Sequence, residues 1–560
     1  MAMTWDEAVA AMTAPGAPFE VGEAEVLGRT QRVFTSTPPS LRALFDLLRL
    51  RGGDPWIVYE DERRSAPDVI GRADALAHAL VERYGVGRGD RVAIGMRNLP
   101  EWVEAFVAVT SVGAVAVSLN AWWTGPEMEY GLLDSGARVL VCDRERLERI
   151  GGSLHGLGIT GLVVRDSGPL PGGCDHLDDV LEPGAPMPAV EIDPDDDATI
   201  LYTSGTTGHP KGAVSTHRAV LSSLMAFACR RFVEALREDA PETGDVDPPA
   251  LILSVPLFHV TGCVPVMLGS VLGGYKLVMM RKWEPGRALE LIERERVTNV
   301  IGVPTMAQDL LDHPDAATRD LSSLQHLGGG GAPMAPELVR RIAGSLDGHT
   351  RPQLGYGLTE TNGYGPGNTG ADLVERPAST GRVVPVMQVR VVGARGEARP
   401  TGEVGEVELA GPMLIRGYWN RPEATDEAIV DGWLRTGDLG YLDEDGFLYL
   451  VDRIKDVVLR GGENVYSAEV EAAVYEHPAV QEVAVFGLPH ERLGEEVAAA
   501  VTPRPGCTID TDQLEAFLAE RIARFMVPSR WFVRDDPLPR GATGKILKRE
   551  LKAGILTDPV

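Results

Sequence analysis

The segment Tyr202–Gly212, YTSGTTGHPKG, gathers the hydroxyls of Thr203, Ser204, Thr206 and Thr207 and the glycines 205, 208 and 212 ahead of or around one lysine, Lys211. A run of this kind buries little apolar surface. It reads either as a solvated loop or as a cradle for an anion, and its flanks bear on the choice. Before it stands DDATIL, whose last four residues read as a short buried strand. After it comes STHRAVLSSLMAFACRRFVEAL, in which Leu221, Leu224, Met225, Ala228 and Phe232 share one helical face and Thr216 is placed as the N-cap. Strand, glycine loop and helix together present backbone N–H groups to a phosphate. Glycines let the backbone approach without a Cβ in the way, and Pro210 fixes the chain just before Lys211. The Walker loop needs a different order, since Pro210 precedes the lysine here and Gly212 follows it.

With 560 residues the chain can bury more than one core, and its 44% apolar and 24% charged content is that of a globular protein. A net charge of −27 sets the surface against nucleic acid and anionic membranes. The five cysteines, 142, 174, 229, 263 and 507, are scattered, with no C-x-x-C pair, which fits a reducing cytoplasm and neither a disulfide framework nor a zinc site. The N-terminal segment has no basic region followed by an apolar core, so no signal peptide is expected. Residues 253–274, LSVPLFHVTGCVPVMLGSVLGG, are uncharged and long enough to span a membrane. Two prolines, His259 and four glycines interrupt them, and the expectation is buried strand and helix around a pocket, with no membrane span.

Short β-rich runs at 91–96, 113–119, 138–143 and 161–166 alternate with amphipathic helical stretches at 67–85 and 100–112, as in a largely parallel α/β sheet. The acidic stretch 237–249 reads as a surface insertion. Beyond about residue 385, short strands and turns dominate. From Ile454 a smaller segment reads strand, helix, strand, strand, helix, which places a domain boundary near 453.

Other clusters have two readings each when taken alone. GGGGAP (328–333) permits close approach of a flat ring, or is a tight turn. LGYGLTET (354–361) sets Tyr356, Thr359 and Glu360 in a glycine-bearing loop suited to a base and a metal. RTGD (435–438) and VDRIKD (451–456) offer an acid and cations for a ribose, or are surface turns. LPRGATGKILKRE (538–550), with Lys552, concentrates five cations in a very acidic chain and holds Lys545 in a flexible glycine setting.

In this order and spacing the motifs resemble the adenylate-forming superfamily of acyl-CoA synthetases, firefly-type luciferases and peptide-synthetase adenylation domains, and within it most a fatty acyl-CoA synthetase. The resemblance runs from about residue 40 to 552. It implies an α/β fold: a large N-terminal domain, 1–453, of two α/β subdomains plus a β-barrel-like one, and a small mobile α+β C-terminal domain, 454–560, hinged near Lys455. It also implies a reaction in which a carboxylate attacks the α-phosphate of ATP, expels pyrophosphate, and passes as an acyl-adenylate to a thiol, releasing AMP. Because two anions must meet, Mg²⁺, a lysine and N–H donors are expected to neutralise charge.

By the same resemblance, Thr203 to Gly208 and Lys211 cradle the pyrophosphate, and Gly330, Gly331, Ala332, Pro333, Leu354, Gly355, Tyr356 and Gly357 line the adenine site. Thr359 contacts phosphate, Glu360 and Ser204 position Mg²⁺, and Asp438 with Arg453 takes the ribose. Lys545, Glu360 and Lys211 are the expected catalytic set. Arg460, Gly461, Gly462 and Glu463 are expected along the pantetheine path of CoA. Asp452 stands where relatives often carry glycine, and Gly541 where Asn or Thr is common. The acyl pocket is expected to be lined by His259, Val260, Thr261, Gly262, Cys263, Gly302, Val303 and Gly328, none of them charged, which favours an uncharged medium or long fatty acid. An aryl acid competes, and His259 is either a gate or structural. A separate carrier protein or an amine is the alternative acceptor to CoA, and a homodimer is compatible with the chain.

Overall fold

The structure is a computed structural model that describes residues 3–150, 152–203, 209–237, 249–345, 348–541 and 544–557. Ser204, Gly205, Thr206, Thr207 and Gly208 lie outside the described residues, as does most of the acidic stretch 237–249.

Among the described residues two eight-stranded sheets form the bulk of the structure. In the first, Asp197–Tyr202, Val115–Ser118, Arg91–Gly95, Val139–Asp143, Thr160–Val164 and Cys174–His176 lie side by side and parallel. In the second, Arg351–Gly355, His326–Gly330, Asn299–Gly302, Ala250–Leu253, Lys276–Met279 and Pro55–Tyr59 do the same. Helices Leu41–Arg49, Ala66–Glu82 and Pro100–Ser111 share one apolar cluster with strands of both sheets. Helix Pro100–Ser111 is buried along its whole length, as a helix apolar on nearly every side must be. Its two acids, Glu101 and Glu104, enter that core only because Arg64, Arg72 and Arg165 pair with them.

The β-barrel-like unit is a five-stranded antiparallel sheet that includes Gln388–Val392, Gly405–Ala410, Trp433–Leu442 and Leu448–Arg453. The last part of the chain builds another five-stranded sheet around the long pair Val480–His490 and Gly494–Pro503, with two apolar clusters drawn entirely from residues 458–555. It holds helices Ser467–Tyr475, Thr511–Ala519 and Lys548–Thr557.

Among the described residues no helix is long and apolar enough to cross a membrane. The uncharged stretch 253–274 becomes a strand end, a π-helix over Gly262–Leu268 and a short helix over Gly269–Leu272, most of it buried.

The glycine loop differs from its expected setting. The chain leaves it as a strand, Gly212–Thr216, antiparallel to Asp197–Tyr202, and helix His217–Arg237 starts only after that. The helix N-terminus therefore stands one strand, about 16 Å, beyond Lys211, so its dipole is not what an anion at Lys211 would meet. Thr216 does cap the helix, its hydroxyl accepting from the Ala219 N–H at 3.1 Å. Phe232, expected on the buried face, is exposed and leans on Phe19.

Gly328, Gly329 and Gly330 of GGGGAP end the strand His326–Gly330 and do not form a turn. Gly328 has φ +143, and a Cβ there would lie 2.1 Å from the Gln353 carbonyl oxygen of the neighbouring strand. A backbone oxygen in a continuous ladder cannot move aside. Gly328→Ala is expected to destabilise the protein by about 3 kcal/mol or more, read as a lower midpoint in urea unfolding.

Candidate active site

The strand pair at the loop's base is closed by Thr203, whose N–H donates to the Lys211 carbonyl at 2.9 Å. A two-residue strand, Gly417–Tyr418, adds to the edge at Ala213 and Val214 and carries Tyr418 beneath Lys211. The Lys211 ammonium sits 5.1 Å from the centre of that ring, a cation–π arrangement. On its far side the Tyr418 hydroxyl donates to Glu360 Oε1 at 2.6 Å. Desolvation first, and then the Glu360 charge, raise the phenol well above its usual range, so it remains a donor. Glu360 is fixed through its backbone, its carbonyl accepting from Ile415 N–H at 2.9 Å. Sequence reading missed Tyr418; the aromatic run GYWN after a glycine was the available signal.

A second node forms around Asp438, which is buried. Tyr356 Oη donates to its Oδ2 at 2.5 Å, and Arg453 Nε lies 3.2 Å from Oδ1, across one rung of the ladder between Trp433–Leu442 and Leu448–Arg453. Lys545 reaches this node from the far end of the chain. Its ammonium stays open to water in the cleft but is walled in by protein, and that desolvation, followed by the nearby Arg453 charge, pulls its pKa down to about 8 against the opposing pull of Asp438 and Asp456. His259 is close enough to feel Lys545. Burial first and that charge second hold the imidazole down at about 4, and Nδ1 accepts from Thr261 N–H at 3.3 Å, so the ring is neutral.

One cleft of about 3510 Å³ joins these groups. Lining it are Thr203, Lys211, Gly330, Gly331, Ala332, Pro333, Leu354, Gly355, Tyr356, Gly357, Thr359, Glu360, Asp438, Arg453, Lys455 and Lys545, together with His259, Val260, Thr261, Gly302 and Val303. Three residues assigned to the acyl wall stand behind it instead. Gly262 has the Pro256 carbonyl 2.3 Å from where a Cβ would be, Cys263 is fully buried, and Gly328 is sealed by its neighbouring strand. Nor does Arg460–Glu463 border the cleft. It is the turn of a tight hairpin in which Gly461 (φ +64) and Gly462 (φ +92) supply left-handed backbone, so turn geometry demands both glycines before any tunnel does.

Among the described residues no three His, Cys, Asp or Glu side chains cluster as a metal site. The donor set fits Mg²⁺ all the same, because that ion is commonly held by one or two carboxylates and completed by substrate phosphates and water. Glu360, with one oxygen engaged by Tyr418, offers such a carboxylate.

A cleft between α/β sheets, with Lys211 on its wall and a second lysine, Lys545, entering from a smaller unit, fits a nucleotide-dependent enzyme. Comparison with known proteins agrees. The AMP-binding enzyme model matches residues 48–419 and the AMP-binding enzyme C-terminal domain model matches 469–545. The chain is 38% identical over 484 residues to a feruloyl-CoA synthase of Amycolatopsis sp, covering 86% of this chain and 92% of that protein. It is 36% identical over 480 residues to the long-chain-fatty-acid–CoA ligase FadD13 of Mycobacterium tuberculosis, covering 84% and 90%. The o-succinylbenzoate CoA synthetase of Bacillus subtilis, solved with its acyl-adenylate intermediate, superposes with a TM-score of 0.77 at 28% identity over 91% of this chain and 97% of that one. The chain belongs to the AMP-binding enzyme family and is an adenylate-forming acid–thiol ligase.

Tyr418→Phe removes the hydroxyl that holds Glu360 and keeps the ring beneath Lys211. It is expected to slow ATP–pyrophosphate exchange about tenfold, the worth of a hydrogen bond to a charged group, and Tyr418→Ala to slow it further. Equal losses would show that the ring contributes nothing to Lys211.

Proposed function

We propose that this chain activates a carboxylic acid with ATP and transfers the acyl group to coenzyme A. A carboxylate oxygen attacks the α-phosphorus as the bond to pyrophosphate breaks; the CoA thiolate then attacks the acyl carbon and AMP leaves. The observation that carries the proposal is the convergence of Lys545 with Asp438, Arg453 and Tyr356 in the cleft that also holds Lys211 and Glu360.

In this reading Lys211, with the N–H groups of the loop it closes, takes the charge of the departing pyrophosphate. Asp438 exchanges its Tyr356 and Arg453 partners for the ribose hydroxyls. Lys545 bridges the reacting carboxylate and the nucleotide. Glu360, with Ser204, would hold Mg²⁺, which supplies charge neutralisation when bound. His259, neutral and pinned by Thr261, is a wall between the nucleotide end and the acyl cavity, with no charge to titrate near neutral pH.

The boundary between the two domains falls at 453/454, with rotation about Lys455 carrying Arg460–Glu463 toward the cleft for the thiol step. One contact opposes that rotation. The Asp452 carboxylate, at the end of strand Leu448–Arg453, accepts from the Ser467 N–H, from Ser467 Oγ at 3.2 Å and from Ala468 N–H at 3.4 Å, capping helix Ser467–Tyr475 of the small unit. An anion at a helix N-terminus is a favourable pairing. Lys548 strengthens it by donating to Ser467 Oγ at 2.8 Å. Any motion that carries the helix away from the strand breaks these bonds.

Lys545→Ala is expected to abolish pyrophosphate release from ATP and acid while leaving thioester formation from supplied acyl-adenylate intact, followed by single-turnover analysis of each half-reaction. Equal loss of both would remove Lys545 from the role given to it. Asp452→Gly is expected to raise the ratio of thioester rate to adenylation rate about tenfold, the scale of a charge-assisted hydrogen bond; an unchanged ratio in the same assay would mean that the cap does not hold the orientation.

A further inference from the structure

Lys545 stands in a glycine-bearing stretch, yet the backbone on either side of it is held. Leu547 N–H donates to the Pro539 carbonyl at 2.8 Å, and Arg540 faces Ile546 across an antiparallel bridge. Gly541 N–H donates to the Lys545 carbonyl, and Gly544 N–H to the Gly541 carbonyl, both at 2.9 Å. The arms 539–541 and 544–547 therefore form a short antiparallel pair that carries Lys545 on its returning arm. Gly544 has φ +81, a left-handed backbone that a side chain would strain. The peptide planes before and after Lys545 set the direction in which its side chain leaves the chain. The plane after it is fixed by the bond from Gly541 N–H. The plane before it contains the Gly544 carbonyl, and a side chain holds that one.

The side chain is that of Arg540. Its Nη1 donates to the Gly544 oxygen and its Nη2 to Glu482 Oε1. Glu482 belongs to strand Val480–His490 of the small unit, and its other oxygen accepts from Leu538 N–H at 2.8 Å. One carboxylate thus fixes both the entry to the antiparallel pair and the guanidinium that crosses it. A planar guanidinium serves two acceptors at once with little loss of freedom. The same turn rests on the large unit. A Cβ on Gly544 would lie 3.3 Å from Val303 Cγ2. The Arg540 charge also reaches Asp309, whose carboxylate accepts from Trp283 Nε1 at 2.8 Å. Without Arg540 the plane before Lys545 is released, and a glycine at 544 gives it no steric resistance.

We infer that Arg540 is a positioning residue for adenylate formation: by tying the Gly544 carbonyl to Glu482 it aims the Lys545 ammonium at the Asp438 node, without touching substrate itself. The inference rests on the ligase reading above. It explains how a lysine beside glycines is presented in one direction, and it ties that direction to the sheet of the small unit through Glu482.

The test compares the full-length enzyme with Arg540→Met, which keeps the apolar stem and removes the donors, and with Arg540→Lys and Glu482→Gln. Pyrophosphate release is measured with octanoate, palmitate, benzoate and cinnamate. Thioester formation is measured with CoA and the acyl-adenylate of whichever acid turns over fastest. Arg540→Met is expected to lower kcat for pyrophosphate release by about tenfold to a hundredfold, the range of a hydrogen bond to a charged group. KM for ATP is expected to change little, and thioester formation from supplied adenylate to be retained, which also shows that the variant has folded. Arg540→Lys is expected to recover part of the rate, and Glu482→Gln to lose less than Arg540→Met. A second readout needs no acid. Acylation of Lys545 by an amine-reactive reagent is expected to titrate near pH 8 in the native enzyme. In Arg540→Met it is expected to move toward the ordinary lysine value of about 10.4, as the released side chain reaches water. A native rate of pyrophosphate release in Arg540→Met, equal losses in both half-reactions, or an unmoved Lys545 titration overturns the inference while leaving the ligase intact. No pyrophosphate release by the native enzyme with any carboxylic acid overturns the ligase reading itself, and the inference with it.

Discussion

Asp438 is the point on which the site depends. Its carboxylate is buried, and a buried charge is tolerated only where it is paired and hydrogen-bonded. Its partners come from three places: Tyr356 from the loop after strand Arg351–Gly355, Arg453 from the adjoining strand, and the field of Lys545 from the last stretch of the chain. One anion thus ties the loop at Tyr356, the end of strand Leu448–Arg453 and Lys545 to a single position. Cations gathered around one carboxylate repel one another. Arg453 and Lys455 both push the Lys545 pKa down, so the arrangement is incomplete until an anionic substrate enters. A cleft built this way favours bound nucleotide and acid through charge that its own residues leave unbalanced.

The same economy explains the boundary between the two units. Asp452 is next in sequence to Arg453, and its carboxylate caps a helix of the small unit while Arg453 serves Asp438. Two neighbouring residues therefore register the small unit against the large one and the nucleotide site against both. Burial raises the Asp452 pKa and Lys548 opposes that rise, so the cap holds its charge through a cation supplied by the small unit. Orientation of the lysine and stability of the contact are in this way coupled through a single turn of chain.

Much of this was legible in the sequence wherever local pattern decides structure. The parallel strands near 91–95, 115–118, 139–143 and 160–164 and the Thr216 cap follow from hydrophobic period and capping chemistry. The lysines, Glu360 and Asp438 stand in motifs whose order resembles a family, and the structure brings them to one cleft. What sequence could not give is what distant strands assemble. Strand Gly212–Thr216 was hidden by a good helix start immediately after it. Tyr418 reaches Lys211 and Glu360 through a two-residue strand that has no pattern of its own. Gly461 and Gly462 looked like space for a ligand arm, whereas their positive φ angles show a turn.

The central claim is that Lys545 enters the Asp438 node as a partly desolvated cation that substrate charge then stabilises. The direct measurement is the pH dependence of Lys545 acylation by an amine-reactive reagent, followed by peptide mass spectrometry, with and without ATP. The account predicts half-maximal reactivity near pH 8 in the free enzyme and a shift to higher pH, with protection, when ATP is bound. Reactivity titrating at the ordinary lysine value of about 10.4 and unaffected by ATP would contradict it.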